Sequence, residues 1–245
     1  MRIPIPMCHG GNTNRQSPLD AEHFANYFGI ASQMAFESIS YDQLATWKSG
    51  GSEMPRRPIM FHFDHPAKSI RHEIDPIMQE YGFRGIPVHQ HRTDGQMYAG
   101  PMPDFAAREW MTWKEIGELM DAGWHIGSHT YTHPNLSDLS VKDPSGEATR
   151  EELVKCDEIL ERHLGVKSRI FAFTGTTWSA VAENEVQKRY RFGRLWIIGS
   201  TYQAGWLLGC SYWFCSETSR RINEGRTETT RAQLRVRTSW RSTRN

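Results

Sequence analysis

The chain of 245 residues is short of several features that announce function cheaply. Its formal net charge is only +1, so composition gives no basis for nucleic-acid binding or for adsorption to a membrane surface. Its four cysteines (Cys8, Cys156, Cys210, Cys215) are scattered and contain no CxxC. That excludes a zinc ribbon and a disulfide framework, and the thiols read as reduced. The first ten residues lack a long apolar core and a small-residue cleavage site, so no signal peptide is read, and either a cytoplasmic location or a removed leader is expected. No charge occurs over 195–216, a length that would span a bilayer, but the run holds Ser, Thr, Gln and three Gly and is not read as a membrane helix. No lysine occurs after Arg220, where the chain turns to Arg, Thr, Ser and Glu without apolar periodicity. No histidine follows His163.

What is present is a rhythm of capped helices and short apolar strands. Ser17-Pro18 reads as a helix start, with Asp20 suited to its positive end. Ser40 with Gln43, Thr112 with Glu115, and Thr149 with Glu152 fit capping boxes. Helical patterns then run inward through Trp113, Ile116, Leu119 and Met120 to Gly123, and through Leu153, Cys156, Ile159, Leu160 and Leu164 to Gly165. A third begins near Ile70, and Pro76 inside it predicts a kink or a late start. Strands are expected over 58–63, 83–88, 125–128 and 169–173, preceded by a strand-like opening segment that runs into His9-Gly10. Strand alternating with helix predicts an α/β fold with a parallel sheet, most economically an α/β barrel with its site at the carboxyl ends of the strands. The segment 90–108, rich in Gly, Pro and Met, reads as a loop over that face.

Two motifs sit at such strand ends: Phe63-Asp64-His65, and His129-Thr130-Tyr131-Thr132-His133. Neighbouring residues at a strand end point to different sides, so one can hold a metal and the other a proton. Histidines at i and i+4 on a helical turn reach one ion. His62 alternates onto the face of Asp64 and is expected to pack. Trp110, Trp113 and Trp178 are expected in the core, although an indole also stacks on sugar rings. His9, His89, His91 and His125 lie near strand ends, where they can surround the site residues, and none is assigned a role.

These motifs resemble the polysaccharide deacetylases of carbohydrate esterase family 4. Met7-Cys8-His9-Gly10 resembles the family's opening strand, Phe61-His62-Phe63-Asp64-His65 its Thr-Phe-Asp-Asp motif, Ser128-His129-Thr130-Tyr131-Thr132-His133-Pro134 its His-Ser/Thr-x-x-His motif, and Phe171-Ala172-Phe173-Thr174-Gly175 the place of its Phe-Ala-Tyr-Pro-Tyr. The resemblance implies a distorted (β/α) barrel that deacetylates an N-acetylated sugar. It implies Asp64 as general base, and a divalent metal (Zn, or Co or Ni) on His65, His129 and His133. Gly175, with Thr174 beside it, would lie against the substrate, the Gly175 N–H holding the oxyanion. His65 stands where the family has a second Asp, which removes one negative charge from the ligand set. The family's late Leu-His acid has no counterpart after His163. These departures keep two alternatives open: a cytoplasmic hydrolase of a small amide or imide, and an inactive barrel that binds metal or sugar. The deacetylase-like domain is expected over 1–200. Residues 201–245 are expected to form an atypical tail, out of frame or disordered, that leaves the barrel incomplete at its C-terminal end.

Overall fold

In the computed structural model, residues 3–11, 20–89, 109–175, 177–197 and 210–215 are described. Seven strands form one sheet: β1 (Met7–Cys8), β4 (Phe61–Asp64), β5 (Gly85–His89), β6 (Gly127–Ser128), β7 (Ile170–Ala172), β8 (Phe192–Ile197) and β9 (Cys210–Cys215), in that spatial order. The first six are parallel, and β9 pairs antiparallel with β8. The sheet curls into an incomplete, distorted (β/α) barrel. A small parallel pair, β2 (Glu37–Ser38) and β3 (Pro58–Ile59), lies apart from it. β9 falls within the uncharged run placed in the tail by composition; its Cys-Ser-Tyr-Trp-Phe-Cys sequence suits a pleated ribbon. Among the described residues, no helix is long and apolar enough to cross a membrane. The loop expected over 90–108, with His91, and the tail from 216 lie outside the described residues.

Period-two alternation along β4 assigns its faces. Phe61 and Phe63 join an outer core with Phe28, Ile74, Met78, Leu119, Trp124 and Leu160. These come from α1 (Ala21–Gln33), the 70–80 helix, α4 (Trp113–Asp121), α6 (Glu147–Leu164) and the adjoining loops. Met60 and His62 face inward. The amino end of the barrel is plugged by Tyr41, Leu44 and Ala45 of α2 (Tyr41–Lys48), packed on Met60, Ile86, Ile170 and Phe192. A third cluster joins Phe171 and Phe173 to Leu136 of α5 (Leu136–Lys142), Leu153 of α6, and Ala182 and Val186 of α7 (Ala180–Arg189).

The Ser40 and Thr112 capping boxes form with both reciprocal hydrogen bonds. Two local expectations change, and the irregularity expected at Pro76 is found. α1 begins at Ala21, capped by Asp20, whose carboxylate accepts from the His23 N–H; Ser17-Pro18 lies outside the described residues. The helix expected from Thr149 begins at Glu147, after Gly146 in a left-handed turn. Thr149 is therefore inside the helix and buried, and Asp143 supplies the cap by accepting from the Ala148 N–H. Around Pro76, a π-helical turn (Ile70–Ile74) runs into α3 (Asp75–Glu80), the wider turn absorbing the proline near its first position.

Gly85 marks the tightest approach of strand to outer layer. A Cβ there would lie 2.3 Å from Trp124 Cζ3 and 2.7 Å from Phe63 Cε2. Gly85→Ala should therefore lose roughly 1–3 kcal/mol of stability in urea unfolding, the usual cost of overpacking. An unchanged midpoint would show that the Trp124 layer yields freely.

Candidate active site

β4 ends at Asp64, and the backbone turns left-handed at His65 (φ 66°) while the His65 N–H still reaches Val88 O at 3.2 Å. That reversal separates the two neighbours: Asp64 stays on the barrel interior, and the His65 ring swings to the mouth. There it meets His129 and His133, with ring centroids 5.3 and 5.1 Å away; those of His129 and His133 are 4.9 Å apart. One ring nitrogen from each of the three lies within 4.8 Å of the other two. The expected helical turn is not what brings His129 and His133 together. They sit on a loop after β6 with Thr130 and His133 both left-handed (φ 68° and 60°), Thr130 Oγ1 accepting from the His133 N–H at 3.1 Å.

Glu152, freed from the capping role read from sequence, holds this loop. Its carboxylate accepts from the Tyr131 N–H (3.0 Å), the Thr132 N–H (2.7 Å) and the Thr132 hydroxyl (2.8 Å). The residues suit a divalent cation. His129 Nδ1 must donate to Ala172 O at 2.8 Å, because a carbonyl only accepts, so Nε2 is left with its lone pair. Burial is the main cause that lowers the pKa of all three histidines, to about 3 for His129, and keeps the imidazoles neutral as ligation requires.

Arg194, which sequence reasoning passed over, is fully buried on β8, and its Nη2 donates to both Asp64 oxygens at 2.6 and 2.5 Å. Burial pushes the Asp64 carboxyl up, but the charge of the Arg194 guanidinium and its hydrogen bonds outweigh it. The group is held well below the usual carboxylate range. His9, noted in the sequence near a strand end but given no role, also belongs to the site. β1 pairs Cys8 with Phe63, which sets His9 beside Asp64, half-buried, its ring stacked at 5.3 Å on His65. The only sequence signal for either was a polar residue in or just past a strand.

Thr174 is buried, and its hydroxyl donates to Pro134 O at 2.6 Å, so it pins two loops together. Gly175 is left-handed (φ 54°) in open space, where a Cβ would touch nothing. His62 packs as expected, with Nε2 3.2 Å from the Tyr41 hydroxyl. Trp110 and Trp113 pack half-buried on the outer core, the His89 ring lies tilted at 4.5 Å from that of Trp113, and His125 lies beside Asp42, away from the strand ends that carry the site. Trp178, expected in the core, is 47% exposed, because its indole N–H bonds Glu183 on the surface at 2.8 Å.

The family profile of polysaccharide deacetylases matches residues 51–191. No curated protein sequence matches this chain. Solved structures similar in fold include a de-N-acetylase from Aggregatibacter actinomycetemcomitans (15% identity, TM-score 0.66, 78% of this chain and 86% of that one). They also include the BpsB deacetylase domain from Bordetella bronchiseptica (14%, 0.65, 78% and 87%). A third is the Streptococcus pyogenes deacetylase PplD in complex with acetate (15%, 0.61, 78% and 81%).

Two substitutions test the supports of the site. Arg194→Met leaves Asp64 buried without its counter-charge and should cost about 3–5 kcal/mol in denaturant unfolding near neutral pH; a loss under 1 kcal/mol would mean Asp64 is solvated some other way. Glu152→Gln should weaken metal affinity by about 10–100-fold in chelator competition, the usual effect of losing support behind a ligand. Equal affinity would show that the loop holds its shape without the carboxylate.

Proposed function

Because the chain belongs to the polysaccharide deacetylase family, we propose that it removes acetyl from an N-acetylated sugar by metal-assisted amide hydrolysis. One observation carries this reading: three neutral imidazoles converge beside a buried, ionised carboxylate. His65, His129 and His133 would hold a divalent cation, and the all-nitrogen donor set fits Zn, Co or Ni better than Mg or Ca. Such a cation supplies Lewis acidity, polarising the acetyl carbonyl and making water more acidic.

The chain's own groups do the rest. Asp64, kept ionised by Arg194 and excluded from the ligand set, takes the proton of the attacking water. The Gly175 N–H, on an open left-handed turn, donates to the oxyanion. His9 protonates the departing amine, filling the role for which the sequence offers no histidine after His163. Replacing a second carboxylate by His65 leaves Asp64 and Arg194 mutually neutral and the cation with uncharged ligands only, which favours an electrophilic centre.

The purified protein should bind about one transition metal per chain, and His129→Ala or His133→Ala should abolish stoichiometric binding. Asp64→Asn should keep the metal and lower acetate release by at least about 100-fold. Metal loss in Asp64→Asn, with retention in His65→Ala, would reverse the two assignments. His9→Gln should depress acetate release and remove the high-pH limb of its pH profile; an unchanged profile would rule out His9 as the acid.

A further inference from the structure

Trp178 stands apart from Trp47, Trp110, Trp113 and Trp124, which are buried or half-buried. Trp124 is fully enclosed, and Trp110 and Trp113 pack half-buried on the outer core, whereas Trp178 keeps 47% of its surface in water. It is nonetheless rigidly placed. Its indole N–H donates to Glu183 Oε2 at 2.8 Å, and the other oxygen of Glu183 accepts from Gln187 at 2.8 Å. Its carbonyl accepts from the Ser137 hydroxyl at 2.8 Å. The preceding Thr177 hydroxyl accepts from the Leu136 N–H at 3.1 Å and donates to Thr174 O at 2.7 Å. Together with the bond from Thr174 to Pro134, these links tie Thr174, Thr177 and Trp178 to the segment leaving His133. The indole is therefore fixed relative to one of the three clustered histidines. One turn along α5 from Ser137, Val141 is 80% exposed.

A large aromatic held in water costs burial energy it would otherwise gain, and its only hydrogen-bonding group is already consumed by Glu183. What it offers a ligand is a flat, preorganised π-face beside a carboxylate. The electron-rich face favours polarised C–H groups or cations, and Glu183 disfavours anions. We propose that Trp178 is a stacking platform for a neutral or amino-bearing pyranose ring, so that the site takes an oligosaccharide whose neighbouring residue lies on this indole. The proposal rests on the deacetylase reading for the identity of the sugar, and it argues against a monosaccharide or a small cyclic imide as the substrate.

The test is calorimetric titration of the full metal-loaded chain with β-1,4-linked glucosamine oligomers of one to five residues, which cannot be deacetylated, and with their N-acetylated forms. Affinity should rise with length. Trp178→Ala should lose about tenfold on the tetramer, as expected for one lost stacking contact, and nothing on the monomer; Trp178→Phe should stay within about threefold of the native chain. Length-independent binding, or a tetramer affinity unchanged in Trp178→Ala, would overturn the platform. Acetate release from the N-acetylated oligomers is read in parallel: binding that obeys the pattern without acetate release would refute hydrolysis while leaving the platform standing.

Discussion

The buried pair of Asp64 and Arg194 is the constraint around which the site is organised. The two residues are 130 positions apart, and β5, β6 and β7 separate their strands in the sheet. They meet only because the sheet curls, so the pair spans the interior of the half-barrel. Such a pair adds little net stability, since taking both charges out of water costs nearly what their attraction returns. Its consequence is chemical. A carboxylate buried without Arg194 would be pushed towards its protonated form; beside it, the group stays ionised and holds one orientation.

The histidine cluster depends on the same mouth of the barrel and on a different device. His65, Thr130 and His133 all adopt left-handed backbone, which for residues with a Cβ costs on the order of 1–3 kcal/mol each. The surroundings enforce these turns: the ladder bond from His65 to Val88, the Thr130 hydroxyl under His133, and three bonds to Glu152. Strain of this kind aims three imidazoles at one point that straight strands or a regular helix would not reach. Pro134, Leu136 and Ser137, on the segment that leaves His133, are in turn hydrogen-bonded to Thr174, Thr177 and Trp178. Site and segment therefore behave as one braced unit.

Features governed by near neighbours could be read from the sequence. The Ser40 and Thr112 caps, the strand-end positions of Asp64 and His65, and the inward faces of the helices through Leu119 and Leu160 all rest on spacings of a few residues. Arg194 could not be found in this way, because an arginine in a strand ordinarily signals an exposed face, and its partner lies across the fold. Glu152 was misread for a related reason. The capping-box pattern was present, but Asp143 captured the helix start and left the carboxylate to the histidine loop. His9 gained its place beside Asp64 and His65 only through the pairing of Cys8 with Phe63. Trp178 defied the burial tendency of its residue type because Glu183 holds its N–H at the surface.

The proposed chemistry needs a metal held by the three histidines and not by Asp64. X-ray absorption at the metal edge of the cobalt-loaded protein reads that directly, since imidazole rings give a multiple-scattering signature that carboxylates lack. The geometry predicts three imidazoles, with the spectrum unchanged by Asp64→Asn. Fewer than three imidazoles, or an oxygen ligand that disappears in Asp64→Asn, would contradict the separation of base from metal ligands on which the mechanism rests.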